Sequence, residues 1–244
     1  MIAPLTFLLL LPFLGTAIGA AGVFFLRKEL SRSWNQALSG YSAGVMTASA
    51  IWSLFLPAIE QCGSMLPVIV GIWAGFLFLI ALERSVVRLH SRHVKSLLFL
   101  AITLHNIPEG IAVGIVAANW IHNTEPSAFF SALGVTAGIA LQNIPEGAIV
   151  STSLRSDGES RSRAFGWGVF SGVVEPLGSL FALILATFIL PVLPYFLGLA
   201  GGAMLYVVIQ ELIPEMHDSD QSRIGAISFA AGFTTMAFLD GYFG

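Results

Sequence analysis

Two copies of one polar motif stand inside apolar stretches of the chain. They read HNIPEG, beginning at His105, and QNIPEG, beginning at Gln142, so five of six positions agree. Helical residues three and four apart share a face, so each copy directs a carboxylate and two further polar side chains to one point. Since the helices that carry them are predicted to run in opposite directions, the copies can face each other. The candidate metal ligands are His105, Asn106, Glu109, Gln142, Asn143 and Glu146.

These side chains indicate which metals the site would hold. Imidazole suits zinc, iron, copper and nickel, and carboxylates extend the range to manganese. An all-oxygen site for magnesium or calcium would not need His105. Copper(I) would favour more sulfur, and the single cysteine, Cys62, excludes a thiolate cage. The set favours zinc or iron(II), with cadmium and manganese as alternatives.

A third intramembrane acid, Glu175, precedes Pro176 in another apolar stretch. A charged group at the centre of a bilayer costs about 2.5–3.5 kcal/mol on insertion scales, so such acids usually serve an ion pathway. One or two divalent ions would nearly neutralise three carboxylates. Pro108 and Pro145 remove an N–H each and are predicted to open their helices. The glycine after each motif acid leaves room beside it.

The composition predicts that most of the surface faces lipid. The 244 residues are 56% hydrophobic and 10% charged, with a mean hydropathy of +0.84. A soluble domain carries about 25% charged residues. The sequence shows no basic face of the kind that nucleic acids require.

Eight apolar stretches approach the roughly 20 residues that cross a bilayer. We predict an all-α integral membrane protein with one transporter domain, 1–244, and no separate soluble domain. The N-terminal stretch lacks the basic start of a signal peptide and is interpreted as the first span. The predicted spans are 2–26, 36–59, 66–83, 97–121, 127–153, 164–190, 194–215 and 224–242.

The basic residues predict the orientation. All eleven fall between spans one and two, three and four, five and six, or seven and eight. With eight spans these loops lie on one side, which is the cytoplasmic side by the positive-inside rule. Both termini are then outside, in a multi-pass protein of a bacterial inner membrane or an equivalent cell membrane.

Glycine pairs with four-residue spacing, such as Gly40 and Gly44, predict closely approaching helices. We favour tight packing within one bundle over a dimer interface.

Several residues are weaker candidates. Met46, Ser53 and Glu60 are seven apart on one helix face, with Glu60 at the outer mouth and Met46 as packing or as a thioether ligand. Gln210 and Glu211 form either an inner mouth or an ordinary helix end. His90 and His93 either receive metal inside or are simply solvated.

The two motifs resemble those of the ZIP (Zrt/Irt-like protein) metal transporters, in particular the bacterial zinc-uptake branch. The resemblance implies a ZIP-type bundle of eight spans that carries zinc, iron(II) and similar ions into the cytoplasm. It implies a two-metal site between spans four, five and six, and, through Gly44-Val45-Met46, a ligand role for Met46. Homodimers and an elevator-like movement are implied as well. The full set of expected ligands is Met46, His105, Asn106, Glu109, Gln142, Asn143, Glu146 and Glu175.

The sequence departs from the family pattern at three places. Gln142 stands where many members have histidine, and Asn143 stands where some have aspartate. Gln210-Glu211 replaces a His-Glu pair that related bacterial members often carry. The site is therefore expected to be less charged and poorer in nitrogen, which affects its preference among metals.

Other functions are weighed against transport. An intramembrane zinc hydrolase would typically carry His-Glu-x-x-His, and the sequence has no such motif. We therefore predict no enzyme and no cofactor, with the divalent metal as the transported substrate. The alternative is a metal-selective channel-like pore, which would need weaker, multi-site binding.

Overall fold

The computed structural model describes residues 2–25, 31–89, 95–123, 125–156, 158–217 and 223–243. All regular structure in these ranges is helical. Short 3₁₀ turns cover Gly22–Phe24 and Leu190–Val192, and π-helical turns cover Ala50–Phe55 and Val208–Leu212. The α-helices are α1 Ile2–Ala21, α2 Arg32–Ser49, α3 Leu56–Cys62, α4 Leu66–Leu89, α5 Lys95–Asn123, α6 Pro126–Ser156, α7 Arg161–Gly172, α8 Val174–Ile184, α9 Ala186–Ile189, α10 Leu193–Val207, α11 Ile213–Met216 and α12 Ile224–Phe243.

Seven helical segments of the described chain are long and apolar enough to cross a membrane. They agree with seven of the eight predicted spans. The remaining one, 97–121, falls in α5, a continuous helix of 29 residues, part of whose side chains lie outside the described residues. The total of eight spans and the placement of the termini stay predictions. The seven segments are Ile2–Phe24, Arg32–Cys62, Leu66–Ser85, Pro126–Ser156, Arg161–Ile184, Leu193–Met216 and Ile224–Gly241.

Proline shapes the spans in two different ways. α5 and α6 continue without interruption through Pro108 and Pro145. The second and seventh spans instead widen into π-helical turns just before Pro57 and Pro214. There the N–H of Leu56 bonds the carbonyl of Ile51, and that of Ile213 bonds Val208, five residues back. A proline cannot donate to the carbonyl four residues earlier, which favours the wider turn.

The helices pair in two groups. α2 packs on α12 and α4 on α10, while α1 packs on α6 and α5 on α8. The first two pairs are brought together by glycines. A Cβ on Gly44 would lie 2.1 Å from the carbonyl oxygen of Phe229, and one on Gly75 would lie 2.3 Å from that of Leu199. These glycines therefore pack helices within the chain, as predicted.

The second group depends on equally close approaches. A Cβ on Gly15 would lie 2.2 Å from the carbonyl oxygen of Ala140, and one on Gly19 would lie 1.8 Å from that of Ile144. α1 is thus pressed against the middle of α6. Because the second motif is at this level of α6, the first helix lies beside it.

Large apolar side chains cover much of the outer surface. Trp73, Phe188 and Phe238 are each more than 60% exposed. Such a surface suits a lipid environment and would be unfavourable for a soluble monomer.

Candidate metal site

The described polar residues of both motifs lie in the interior of the second helix group. Glu109 of α5 and Glu146 of α6 are each 1% exposed, and Glu175, in the first turn of α8, is fully buried. The amides of Asn106, Gln142 and Asn143 are equally buried. Burial of so many polar groups is costly unless they are paired or bind an ion.

At one end of the cluster the two motifs contact each other directly. The Gln142 Nε2 donates a hydrogen bond to Glu109 Oε1. This confirms the prediction that the two copies face each other. Glu109 Oε2 and Gln142 Oε1 are buried and have no hydrogen-bond partner among the described residues.

At the other end three helices meet on Glu175. Its Oε1 accepts from the Thr16 hydroxyl at 2.7 Å and from the Asn106 Nδ2 at 3.1 Å. The same Nδ2 lies 3.4 Å from the carbonyl oxygen of Ser171. In the described part of the chain, Glu175 Oε2 and Asn106 Oδ1 are left without a partner.

Thr16 was not predicted as part of the site. The apolar first span has only one other hydroxyl residue, Thr6, which is ten positions away, so no second polar residue stands three or four positions from Thr16. The signal that could have found it is its position between Gly15 and Gly19, because that spacing marks a close helix contact.

Asn143 and Glu146 connect the two ends. Asn143 and Glu146 both lie close to Glu109 and to Glu175. Neither the oxygen nor the nitrogen of the Asn143 amide has a hydrogen-bond partner within the described ranges. The three acids and three amides thus form one connected cluster.

The unused atoms of the cluster indicate what it can bind. The NH₂ groups of Asn106 and Gln142 both donate to carboxylate oxygens. Several buried oxygen acceptors of the cluster are left without a hydrogen-bond partner among the described residues. Buried acceptors are rarely left without a partner. The sequence puts no Lys or Arg on α5 beyond Lys95 or on α6 before Arg155. A divalent cation matches these oxygens in charge and in chemistry. The acceptors are Asn106 Oδ1, Glu109 Oε2, Gln142 Oε1, Asn143 Oδ1 and Glu175 Oε2.

Two of the predicted ligands, His105 and Met46, are not part of the cluster that the described residues form. The His105 side chain lies outside the described residues, so its ligand role stays a prediction. Met46 is buried on α2 within the main hydrophobic cluster. No three His, Cys, Asp or Glu side chains of the described part meet as a metal-binding group. The amides are therefore needed to complete a ligand set.

The glycine after each motif acid has a different role from the one expected. A Cβ on Gly110 would lie 2.3 Å from the Glu175 carbonyl oxygen, and one on Gly147 would lie 2.0 Å from that of Thr16. The space beside each acid is filled by the backbone of a neighbouring helix. These glycines bring α8 and α1 close enough for Glu175 and Thr16 to join the site.

A cavity of about 620 Å³ opens beyond the cluster and is lined by Ser53, Glu60 and Asp240, among others. As predicted, Ser53 and Glu60 share a face, and Ser53 donates to Asp240 Oδ1 at 2.9 Å. Ala112 of α5 also lines the cavity. It follows Glu109 by three residues, which is roughly 4.5 Å along a helix axis. The cavity thus reaches to about one turn from the site.

The weaker candidates of the seventh span, Gln210 and Glu211, lie near the end of that span that is farther from the cavity. Glu211 is half-buried on the second π-helical turn, and Gln210 is exposed. The Tyr206 hydroxyl donates to Glu83 of α4 nearby. His90 and His93 lie outside the described residues.

Comparison with known proteins decides the family. The model of the family described as ZIP Zinc transporter matches residues 82–240. This is well over half of the chain, and it contains both motifs and Glu175. The chain belongs to the ZIP zinc transporter family. It is accordingly a multi-pass membrane protein, and its family comprises transporters rather than enzymes.

Bacterial relatives extend the match to nearly the whole chain. The zinc transporter GufA of Myxococcus xanthus is 35% identical over 246 residues, covering 93% of this chain and 94% of that one. The zinc transporter ZIPB of Bordetella bronchiseptica is 33% identical over 251 residues, covering 93% and 77%. The human zinc transporter ZIP11 is 45% identical over 145 residues, covering 59% of this chain and 42% of that protein.

Proposed function

We propose that this ZIP family member carries zinc across a cell membrane into the cytoplasm through the buried cluster of α5, α6 and α8. The observation that carries the proposal is the set of five buried oxygens left without partners among the described residues. They belong to two amide-held carboxylates and three amides, which are ligands for a divalent ion. The naming of GufA and ZIPB as zinc transporters supports zinc as the ion.

The types of ligand atom predict the order in which the site prefers different metals. With His105 as a nitrogen ligand, the site favours zinc and iron(II), followed by cadmium and manganese. Magnesium should be excluded, since it requires near-octahedral oxygen coordination and retains its water. The three carboxylates match the charge of one or two such ions.

The proposed route leads from the cavity lined by Glu60 and Asp240 to the cluster about one helical turn below it. Because the cluster lies almost wholly in the group of α1, α5, α6 and α8, this group is the part that an elevator-like movement would carry. A homodimer and a two-metal site come from the resemblance and stay part of the proposal.

The test is metal flux into proteoliposomes loaded with a fluorescent indicator. We expect saturable zinc uptake that Glu146→Ala lowers by at least about 100-fold, since loss of mere supporting residues already costs 10–100-fold. Glu159→Ala is the control, because Glu159 is a partly exposed acid between α6 and α7 whose carboxylate is 3.7 Å from Arg163.

Three outcomes would contradict the proposal in different ways. Flux that rises without saturation would favour the channel-like pore. Saturable flux that survives Glu146→Ala would remove the cluster from the path. Absence of any flux from folded, inserted protein would remove transport itself.

A further inference from the structure

Thr16 makes a different hydrogen bond from the other threonines whose side chains the structure describes. Seven other threonine hydroxyls with described hydrogen bonds each bond the carbonyl four residues earlier in their own helix. This is the ordinary solution for a threonine within a helix. Thr16 instead crosses from α1 to α8 and donates to Glu175 Oε1 at 2.7 Å.

The surrounding backbone holds this contact in place. A Cβ on Gly172 would lie 2.9 Å from the Thr16 Cβ and 3.1 Å from Glu175 Oε1. A Cβ on Gly147 would lie 2.0 Å from the Thr16 carbonyl oxygen. Any larger residue at either glycine would separate α1 from the site, so the chain keeps the space that the hydroxyl needs.

The two carboxylate oxygens of Glu175 have different surroundings. Oε1 accepts from Thr16 and from the Asn106 Nδ2, while Oε2 has no partner within the described residues. A carboxylate whose one oxygen already accepts two hydrogen bonds offers mainly the other oxygen to a metal. Zinc is satisfied by single carboxylate oxygens at about 2.0–2.2 Å, whereas larger ions such as calcium also take carboxylates through both oxygens.

We propose that Thr16 is a positioning residue that confines Glu175 to one metal-facing oxygen and thereby favours zinc over larger divalent ions. The inference rests on the proposed function, since it concerns the same cluster. Thr16 does not touch the ion; it acts through Glu175. Outer-shell partners of this kind typically contribute 10–100-fold to metal affinity.

The test compares Thr16→Val, which keeps the shape, with Thr16→Ser, which keeps the hydroxyl. Zinc and cadmium affinities of the purified protein are measured by competition with a fluorescent chelator, and KM and kcat are measured by flux. We expect Thr16→Val to weaken zinc binding by about 10–100-fold, to weaken cadmium binding less, and to raise KM more than it lowers kcat. Thr16→Ser should restore most of the zinc affinity and the preference for zinc.

Thr136→Val is the matched control. Thr136 is fully buried, and among the described residues its hydroxyl bonds the Ala132 carbonyl of its own helix. The Thr136→Val protein should bind zinc and cadmium as the unmodified protein does. If Thr16→Val does not insert, Thr16→Ala removes the same hydroxyl without adding bulk.

The inference is overturned if Thr16→Val leaves the zinc-to-cadmium ratio unchanged, or if Thr16→Ser fails to restore it. Because affinity is measured without transport, this result is separate from failure of the proposed function. That failure would appear as absence of saturable zinc flux in the unmodified protein.

Discussion

The two ends of the buried cluster hold their carboxylates by different means. Glu109 is held by Gln142, a residue of the opposite motif copy. Glu175 is held by Thr16 and Asn106, which come from two different helices. The first end needs only the two repeated motifs, whereas the second needs α1 and α8 to cross them closely. The motifs alone therefore build half of the site, and helix packing completes it.

The strongest test of this comparison breaks the packing that joins the two ends. Gly110→Ala would place a Cβ 2.3 Å from the Glu175 carbonyl oxygen, so α5 and α8 must separate. Overpacking of this kind costs about 1–3 kcal/mol and occasionally more. We expect a lower melting temperature in detergent and near-complete loss of zinc flux, measured on the same purified sample.

Gly166→Ala is the control for this substitution, since nothing lies within 4 Å of the added Cβ. It should keep flux and stability, because alanine is the better helix former. A Gly110→Ala protein that transports normally would show that the close crossing of α5 and α8 is not needed.

How much of the site was predictable follows from the same comparison. The repeated motifs led to the pairing of Glu109 with Gln142, because two polar copies on opposed helices have few other partners. Thr16 has no such periodic signal, and its role appears only when Gly147 and Gly172 set the distance between helices. Likewise, no sequence pattern shows that the room beside Gly110 is taken by backbone.

The fold was predictable to a similar extent. Apolar length led to the spans, and seven of them coincide with helices of the described chain that are long and apolar enough to cross a membrane. Proline behaviour was not predictable from residue type alone. Pro108 and Pro145 stay within continuous helices, whereas Pro57 and Pro214 follow π-helical turns.

A second test compares the two ends directly through Gln142→Leu. In the proposed site Gln142 both holds Glu109 and offers its own Oε1, unpartnered among the described residues, to the metal, whereas Thr16 only holds Glu175. We therefore expect Gln142→Leu to weaken zinc binding beyond the 10–100-fold range expected of a purely supporting residue. The measurement is chelator competition on purified protein.

Gln36→Leu is the matched control, since Gln36 is 2% exposed on α2 and outside the cluster. The Gln36→Leu substitution should lower the stability of the protein without changing its zinc affinity. Equal losses from Gln142→Leu and Thr16→Val would mean that Gln142 supports Glu109 without binding the ion.

The smallest effect is expected from Met46→Leu, which tests whether the helix group of α2, α4, α10 and α12 contributes a ligand to either end of the cluster. Met46 is the one expected ligand outside α5, α6 and α8, and it is 1% exposed in the main hydrophobic cluster. A Met-to-Leu exchange conserves volume and usually costs less than about 1.5 kcal/mol. If the Met46 thioether reaches the ion, Met46→Leu should lower affinity for cadmium a few-fold more than for manganese, since soft ligands favour soft metals. Met204→Leu, fully buried in the same cluster, is the control. Identical affinities for the two variants would assign Met46 to the core and confine the site to the group of α1, α5, α6 and α8.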